Sequence, residues 1–179
     1  MCNNAAIVHF TDPRDNEVYR TKKMPDGKIW MLENLKWKGA GIYYGSGATP
    51  GKKEPFANAG RLYTYVEAIT AAPPGWHLPT LDEWETLARS VGGSSTAGTK
   101  LKSKSGWNKG NGTDNFDFSA LPGGYGNSAF RNIGSNGYWW SHSENSIKSA
   151  NFYYMNTSAT IFRKGGTKSH FYSVRCVKD

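Results

Sequence analysis

The chain has 179 residues with 21 glycines and 14% aromatic residues, which predicts one domain able to bury its own core. No apolar run approaches the ~18 residues of a membrane-spanning helix, so we expect no membrane span. The net charge is +8, but no basic run exceeds two residues and no zinc-finger or helix-turn-helix pattern occurs. Nucleic acid is therefore not an expected partner.

The N-terminal region alternates between turn and strand signals. Residues 12–16 form a turn-type cluster, and residues 17–21 have strand composition. A proline and a glycine within residues 24–28 indicate a tight turn, after which residues 28–32 are expected to return as the second strand of a hairpin. Residues 38–60 are rich in Gly, Ala, Lys and Pro and are expected to form a surface loop.

Two helices are predicted in the middle of the chain. The first runs from about residue 63 to 72, with Tyr63, Val66 and Ile69–Thr70 on its packed side, and two prolines end it. The second begins at a capping box formed by Thr80 and Glu83, and a pair of glycines ends it. Its apolar residues recur at helical spacing and are expected to be buried: Trp84, Leu87, Ala88 and Val91.

The sequence after these helices carries no further helical signal and consists of short aromatic segments separated by glycine-rich turns. These segments are 116–118, 137–140, 151–155, 161–163 and 171–175. Their spacing of about ten residues is typical of antiparallel strands. We therefore predict an α+β fold in which two helices pack on short antiparallel strands, in one loop-rich domain over residues 1–179.

No arrangement typical of an enzyme or a metal site is present. Cys2 and Cys176 are the only thiols, and a disulfide between them in an exported chain and two free thiols are both open. The four histidines form no zinc-binding pattern, and His77 is expected to make structural hydrogen bonds. Asp114 and Asp117 could offer oxygens to calcium, although aspartates in such a turn usually bond to their own backbone. We predict no catalytic residue, metal or cofactor.

The most informative segment is 138–172, where aromatic and histidine side chains are interleaved with Ser, Asn, Thr, Lys and Arg. Because strand residues alternate between two faces, these aromatics cannot all face the core. Tyr and Trp offer large contact areas at low entropy cost, and Ser and Asn add adaptable hydrogen bonds, as in an antibody paratope. The alternative is a sheet whose aromatics only form cross-strand pairs.

The chain carries six short motifs, in the order 60–65 (GRLYTY), 74–80 (PGWHLPT), 97–102 (AGTKLK), 118–124 (FSALPGG), 137–141 (GYWWS) and 173–178 (SVRCVK). With residues 15–35 included, the chain resembles the Fibrobacter succinogenes major paralogous domain family over nearly its whole length. A shorter pattern, residues 78–84 with 174–176, is also similar to the formylglycine-generating sulfatase-modifying family.

Both resemblances imply a C-type-lectin-like fold. The first implies an exported or surface protein without established catalysis. Some proteins of this wider fold are variable proteins of diversity-generating retroelements, in which a C-terminal segment is diversified to create binding surfaces. Formylglycine-generating enzymes need two active-site cysteines, and only Cys176 lies in the matching region, so that activity is expected to be missing.

The resemblance leads to a non-enzymatic ligand-binding protein whose diversified surface lies within residues 138–172. The expected contacts are polar and aromatic residues of that segment: His142, Glu144, Asn151, Tyr153, Thr157, Phe162, Lys164, His170 and Phe171. The expected partner is an unidentified protein or a glycan. A structural cell-surface domain without such a site is the alternative, and a formylglycine-generating type of enzyme is the third hypothesis.

The first four residues bear on the compartment. They lack the apolar core of a signal peptide. A mature lipoprotein with a lipid anchor through Cys2 and a cytoplasmic protein would both begin in this way. With the resemblance taken into account, an extracellular or cell-surface location is expected.

Overall fold

The computed structural model describes residues 5–45 and 57–179, and the protein has an α+β fold. The strands are β1 (Ile7–Thr11), β2 (Val18–Lys23), β3 (Ile29–Met31), β4 (Leu62–Tyr63), β5 (Trp76–His77), β6 (Gly123–Gly126), β7 (Phe130–Ile133), β8 (Gly137–Glu144), β9 (Ser149–Met155), β10 (Ile161–Thr167), β11 (Tyr172–Ser173) and β12 (Val177–Lys178). The helices are α1 (Tyr65–Ala71), α2 (Leu81–Ser90) and α3 (Ser94–Leu101), with a short 3-10 turn over Ala57–Ala59.

The strands form two sheets. The small sheet has the order β1-β2-β3-β12-β5, and the large sheet has the order β10-β9-β8-β11-β4, with β6 pairing with β8 and β7 with β6. Strands β8, β9 and β10 form the antiparallel meander that the sequence predicts. Strands β6 and β11 pair with β8 in parallel. The chain ends by adding β11 to the large sheet and β12 to the small one.

The N-terminal hairpin is found where the sequence predicts it, with one additional strand. Strands β2 and β3 pair in antiparallel fashion, and the turn between them is closed by a hydrogen bond from Met24 N to Lys28 O of 2.8 Å. Strand β1, which was not predicted, pairs with β2 across the turn at residues 12–16. Of the loop predicted over 38–60, residues 46–56 lie outside the described residues.

Helix α2 confirms the prediction in its start and its buried stripe. The Thr80 side chain accepts a hydrogen bond from Glu83 N, and the Glu83 carboxylate accepts one from Thr80 N, which closes the capping box. The predicted stripe of Trp84, Leu87, Ala88 and Val91 is buried.

No helix of the described residues has the length and apolar character that a membrane span requires.

Helix α1 begins later than predicted and packs through a different face. Tyr63 is extended in β4, and Thr64 caps the helix through a capping box with Glu67. The buried residues are Tyr65, Ala68 and Ala71, whereas Val66 is 66% exposed. The predicted packed side was therefore wrong, because pairing of Tyr63 with Tyr172 in the sheet shifts the helix start and with it the helical phase.

Helix α3 was missed by the sequence analysis. Its residues are mostly Ser, Thr and Gly, which are weak helix formers. Ala97, Gly98 and Leu101 are buried, and the helix packs against β10 and α2. Tertiary packing therefore stabilises a helix that local propensity does not favour. The predicted strand at 116–118 is a turn, from which Phe118 enters the core.

The core is divided by the large sheet. Trp84 and Leu87 of α2 and Leu101 of α3 pack with Trp139 and Tyr153 of the sheet. A second group, on the other side of the sheet, joins Tyr65 and Ala68 of α1 to Trp140, Phe152 and Tyr172. Both faces of the large sheet therefore carry aromatic residues, and the cover on each face decides which of them reach the solvent.

Candidate functional site

The meander of β8, β9 and β10 sorts its side chains by register. Tyr138, Tyr154 and Phe162 are successive cross-strand partners and so lie on one face of the sheet. Tyr153, between Trp139 and Arg163 in the register, lies on the opposite face, which α2 covers. One position along the strand therefore separates an aromatic residue of the core from one that is half-exposed.

Four aromatic rings form a row across the large sheet, which we call the aromatic row: Tyr172, Tyr138, Tyr154 and Phe162. Neighbouring ring centroids are 5.4, 5.8 and 4.8 Å apart, and the ring planes are within 25° of parallel. Such offset stacking contributes about 0.5–1.5 kcal/mol per pair. Stacking therefore stabilises the arrangement of the row, and three of its members, Tyr138, Tyr154 and Phe162, are partly exposed.

One end of this face is covered and the other is open. The Tyr65 ring of α1 packs edge-on against Trp140, with centroids 5.5 Å apart. Further along, the Tyr125 ring of β6 stands against Tyr138 at 5.2 Å and His170 at 6.1 Å. An open cleft beside the Tyr125 ring has a volume of about 370 Å³. We call it the tyrosine cleft, and its lining residues are Tyr125, Asn132, Asn136, Tyr138, Phe152, Tyr154, Asn156, Lys164, His170 and Tyr172.

The polar groups of the cleft are held in place by bonds among themselves. Asn132 and Asn136 both donate a side-chain N–H to the Tyr138 hydroxyl, at 2.8 Å each. His170 Nδ1 lies 3.2 Å from the Tyr172 hydroxyl. Burial raises the pKa of Tyr138, although the two asparagine bonds act in the opposite direction. The hydroxyl therefore stays protonated near neutral pH and is available as a hydrogen-bond donor.

The charge in the tyrosine cleft is positive. Lys164 Nζ lies 5.6 Å from the centre of the Tyr154 ring, and the residues of the described ranges that line the cleft include no carboxylate. Two nearby cations are paired: Arg163 bonds to Glu85 at 2.9 Å and Lys168 to Glu144 at 2.6 Å. Lys164 makes no ion pair with any residue of the described ranges, so its charge is not compensated there.

Three of the predicted contact residues lie in the aromatic row or the tyrosine cleft, and a fourth is buried in the core. Phe162 belongs to the aromatic row, and Lys164 and His170 line the tyrosine cleft. Tyr153 is only 3% exposed, stacks on Trp84 with ring centroids 5.3 Å apart, and bonds through its hydroxyl to a backbone carbonyl. Its interpretation as a surface contact is therefore corrected, because strand alternation turns its ring toward α2.

The other predicted contacts lie away from the cleft lining. His142 and Glu144 are exposed at the far end of β8, where a β-bulge interrupts the pairing, and Glu144 is bonded to Lys168. Asn151 donates to Ser143 O at 3.1 Å. Thr157 is exposed in the turn after β9, and Phe171 is half-buried, with its backbone bridged to Gly126. None of these residues is part of the cleft lining, which includes Lys164 and His170.

Several residues of the cleft were not among the predicted contacts, chiefly Tyr125, Asn132, Asn136 and Tyr154. Tyr154 lies on the same face of β9 as Phe152, two residues before it. Its pairing with Tyr138 depends on the register between β8 and β9, which the sequence does not give. The asparagines come from β7 and the turn that follows it, outside the segment 138–172. The sequence offered no signal that this turn folds back over the sheet.

The motifs considered for other chemistry have structural partners. Asp114 accepts bonds from Ser119 N and Oγ at 2.8 and 2.7 Å, and Asp117 pairs with Lys22 at 2.6 Å. Within the two described ranges, no three His, Cys, Asp or Glu side chains come together as metal ligands. Cys176 is fully buried, and Cys2 lies outside the described residues, together with the predictions of a disulfide or lipid anchor that involve it.

The fold and the cleft define an α+β protein with two sheets, of which the larger has an open aromatic face. The chain belongs to the Fibrobacter succinogenes major domain family, whose model matches residues 25–178. This confirms the family resemblance, and the match includes every residue that lines the tyrosine cleft. Comparisons with curated proteins and with solved structures found no match.

Proposed function

We propose that the protein is a non-enzymatic ligand-binding protein with a C-type-lectin-like scaffold, and that the tyrosine cleft is its binding site. The observation that carries this proposal is the partly exposed aromatic row beside a lysine without an ion pair among the described residues. Rigid aromatic residues with nearby amide and hydroxyl groups offer contact area at low entropy cost. Central aromatic contacts dominate the affinity of many interfaces.

A role as a diversified variable protein is the finer part of this proposal. Seven of the ten lining residues fall in the segment 138–172. Their side chains project from a sheet whose other face is fixed by α2 and α3. Substitutions on the open face would change the ligand surface with little cost to the core, which is what a diversified segment requires.

The absence of an enzymatic activity is also a proposal, supported by the state of the thiol. Burial raises the pKa of Cys176 to about 12. The reactive form of a cysteine is the thiolate, and a buried thiol of this kind is inert. Formylglycine-type turnover at this residue is therefore disfavoured, and an extracellular or cell-surface location remains an expectation from the family resemblance.

A structural surface domain, whose aromatic residues only pack, is the second candidate. The rings of Tyr153, Phe152 and Tyr172 are buried, as this alternative expects. A binding experiment separates the two. We would probe a mixed array of glycans and peptides with the wild type, with Y154S/F162S, and with V66S/I69S as a control. The control removes two exposed apolar side chains from α1 instead of two rings of the aromatic row. A probe that binds the wild type and the control but not Y154S/F162S would support ligand binding. If the array yields no probe of this kind, the binding proposal is contradicted.

The diversification hypothesis has its own test, the sequencing of the gene across its source population. We expect substitutions at cleft positions such as Tyr154, Asn156, Lys164 and His170, and few at Tyr153, which faces the core. A uniform substitution rate along the gene would contradict a diversified segment. It would leave the binding proposal to the array experiment.

A further inference from the structure

We propose that the ligand of the tyrosine cleft is an acidic saccharide, a sugar chain that carries carboxylates. This inference rests on the proposed function, because it assumes that the cleft is a binding site. It is argued from the charge of the cleft, from the free hydrogen-bonding capacity of its side chains, and from its position on the face of a sheet.

The charge distribution favours an anion. Residues 121–179 supply all ten lining residues and carry seven basic and two acidic side chains. Both acidic residues are engaged elsewhere, Glu144 with Lys168 and Asp179 with His77. Lys164, at the cleft, keeps an ammonium group without an ion pair among the described residues. A carboxylate placed there would form a charge-assisted hydrogen bond without competition from a carboxylate of the described residues.

The Tyr138 hydroxyl gives the cleft a further hydrogen-bond donor besides the Lys164 ammonium group. A phenolic oxygen has two acceptor positions and one proton. In Tyr138 both acceptor positions are filled by the amide groups of Asn132 and Asn136, so the bonding capacity left to the hydroxyl is the donation of its proton. The side chain of Asn156 also lines the cleft. The cleft is thus rich in donors and suits a ligand with many acceptor oxygens.

The position of the cleft over β9 favours a ligand that is bound through side chains. Strand β9 lies between β8 and β10, and its register is paired on both sides, so its backbone is not available to a ligand. Extended peptides commonly bind by main-chain bonds to a free sheet edge. A ligand that lies over β9 is therefore recognised by side chains, whereas a peptide bound through its main chain would lie at the outer edge of β10. A cleft of about 370 Å³ lies in the range of small-molecule sites, and a uronic acid brings hydroxyls, a ring and a carboxylate into that space.

The test is calorimetric titration of the purified protein with tetragalacturonic acid. The matched ligands are its methyl ester, which has lost the charges, and tetraglutamate, which keeps the charges without the sugar. We expect binding of the acid that weakens as salt is added. Lys164→Gln should lower the affinity about tenfold, as expected for one hydrogen bond to a charged group. Tyr138→Phe, which keeps the ring, should also weaken binding, while Lys178→Gln in the small sheet should not.

The results separate this inference from the proposed function. Equal affinity for the methyl ester or for tetraglutamate would overturn the acidic saccharide, as would binding that Lys164→Gln leaves unchanged. If the acid does not bind but the array yields a probe that Y154S/F162S loses, the inference fails and the binding site stands. If neither experiment finds a ligand, both proposals fail. Circular dichroism of each variant verifies that the fold is retained.

Discussion

Tyr153 and Tyr154 are neighbours in the chain and lie on opposite faces of the large sheet. Tyr153 stacks on Trp84 of α2 at 5.3 Å, and Tyr154 stacks on Phe162 at 4.8 Å on the open face. The strand period of two residues accounts for this separation. Residues with the same side chain therefore have different roles, one in stability and one in the candidate site.

This pair gives a direct prediction about stability. Tyr153→Ala removes a buried ring and should lower the free energy of unfolding by about 3–5 kcal/mol. Tyr154→Ala loses two cross-strand contacts and should cost at most about 2 kcal/mol. Urea denaturation of both variants measures the difference. A Tyr154 variant that is the less stable of the two would contradict the assignment of the faces.

Gly98 gives a prediction that runs against helix propensity. It lies inside α3, where alanine is ordinarily preferred by about 1 kcal/mol. A Cβ atom at this position would lie 2.6 Å from Thr160 O and 2.7 Å from Ala159 O, both backbone atoms of the turn between β9 and β10. We therefore expect Gly98→Ala to lower the melting temperature. Ser95→Ala, at an exposed position of the same helix, should not lower it, and a stabilised Gly98→Ala would contradict the close packing.

Arg175 is fully buried and pairs with no carboxylate of the described residues. Its guanidinium donates to Asn34 Oδ1 at 2.9 Å, to Leu32 O at 3.0 Å and to Phe118 O, and burial lowers its pKa to about 10. Arg175→Met would keep the length of the side chain but remove this donor from the Leu32 and Phe118 carbonyls, at about 1–3 kcal/mol each, while Asn34 Oδ1 would still accept from the Trp139 indole.

We expect Arg175→Met to lower the free energy of unfolding by more than about 3 kcal/mol, measured by urea denaturation. Arg163→Met is the matched control, since Arg163 makes an exposed ion pair with Glu85 and should lose less than about 1 kcal/mol. Removing a buried charge can also be stabilising. An Arg175→Met variant as stable as the wild type would show that this relief outweighs the lost hydrogen bonds.

His77 joins the start of α2 to the C-terminal residue. Its Nε2 lies 2.9 Å from Glu83 and its Nδ1 2.6 Å from Asp179. Burial by itself would lower the pKa of His77, but the bonds to the two carboxylates outweigh it, so the pKa is raised above 6.5. Burial would raise the pKa of Glu83, and bonds from Thr80, His77 and Lys28 lower it below 4.5 instead.

These two shifts predict a pH-dependent contribution to stability. The contribution of His77 is complete below its unfolded pKa of about 6.5 and is lost as the pH rises through the raised folded value. That of Glu83 is lost as the pH falls through its depressed value. The stability difference between the wild type and His77→Gln should therefore be larger at pH 5.5 than at pH 8.5, in urea denaturation at both values. His9→Gln, at an exposed position in β1, is the control. A stability difference between the wild type and His77→Gln that grows with pH would contradict the bonds of His77 to Glu83 and Asp179.

The elements that the sequence predicts correctly are those with strong local signals. The capping box of Thr80 and Glu83 and the buried stripe from Trp84 to Val91 locate α2. The turn at residues 24–28 locates the β2–β3 hairpin. The aromatic segments between glycine turns locate β8, β9 and β10. In each case neighbouring residues alone satisfy the bonds or the periodicity that define the element.

The elements that were missed depend on distant partners. Helix α3 is poor in helix formers and is stabilised by its contacts with α2 and β10. The phase of α1 follows from the pairing of Tyr63 with Tyr172, more than 100 residues away. The tyrosine cleft needs Asn132 and Asn136 to reach Tyr138 from a separate turn. Local propensity and periodicity carry no information about such contacts.

By itself, the sequence determined that this protein is α+β, that it belongs to its family, and that residues 138–172 hold more aromatic side chains than one core face can take. Alternation in a strand divides those side chains into two sets but does not say which set is covered. Only the packing of α2 and α3 on one face decided that Tyr153 is buried, and only the partial cover by α1 left Tyr154, Phe162 and Lys164 on an open one. Burial is a property of the assembled layers, so the site became visible only in the tertiary structure.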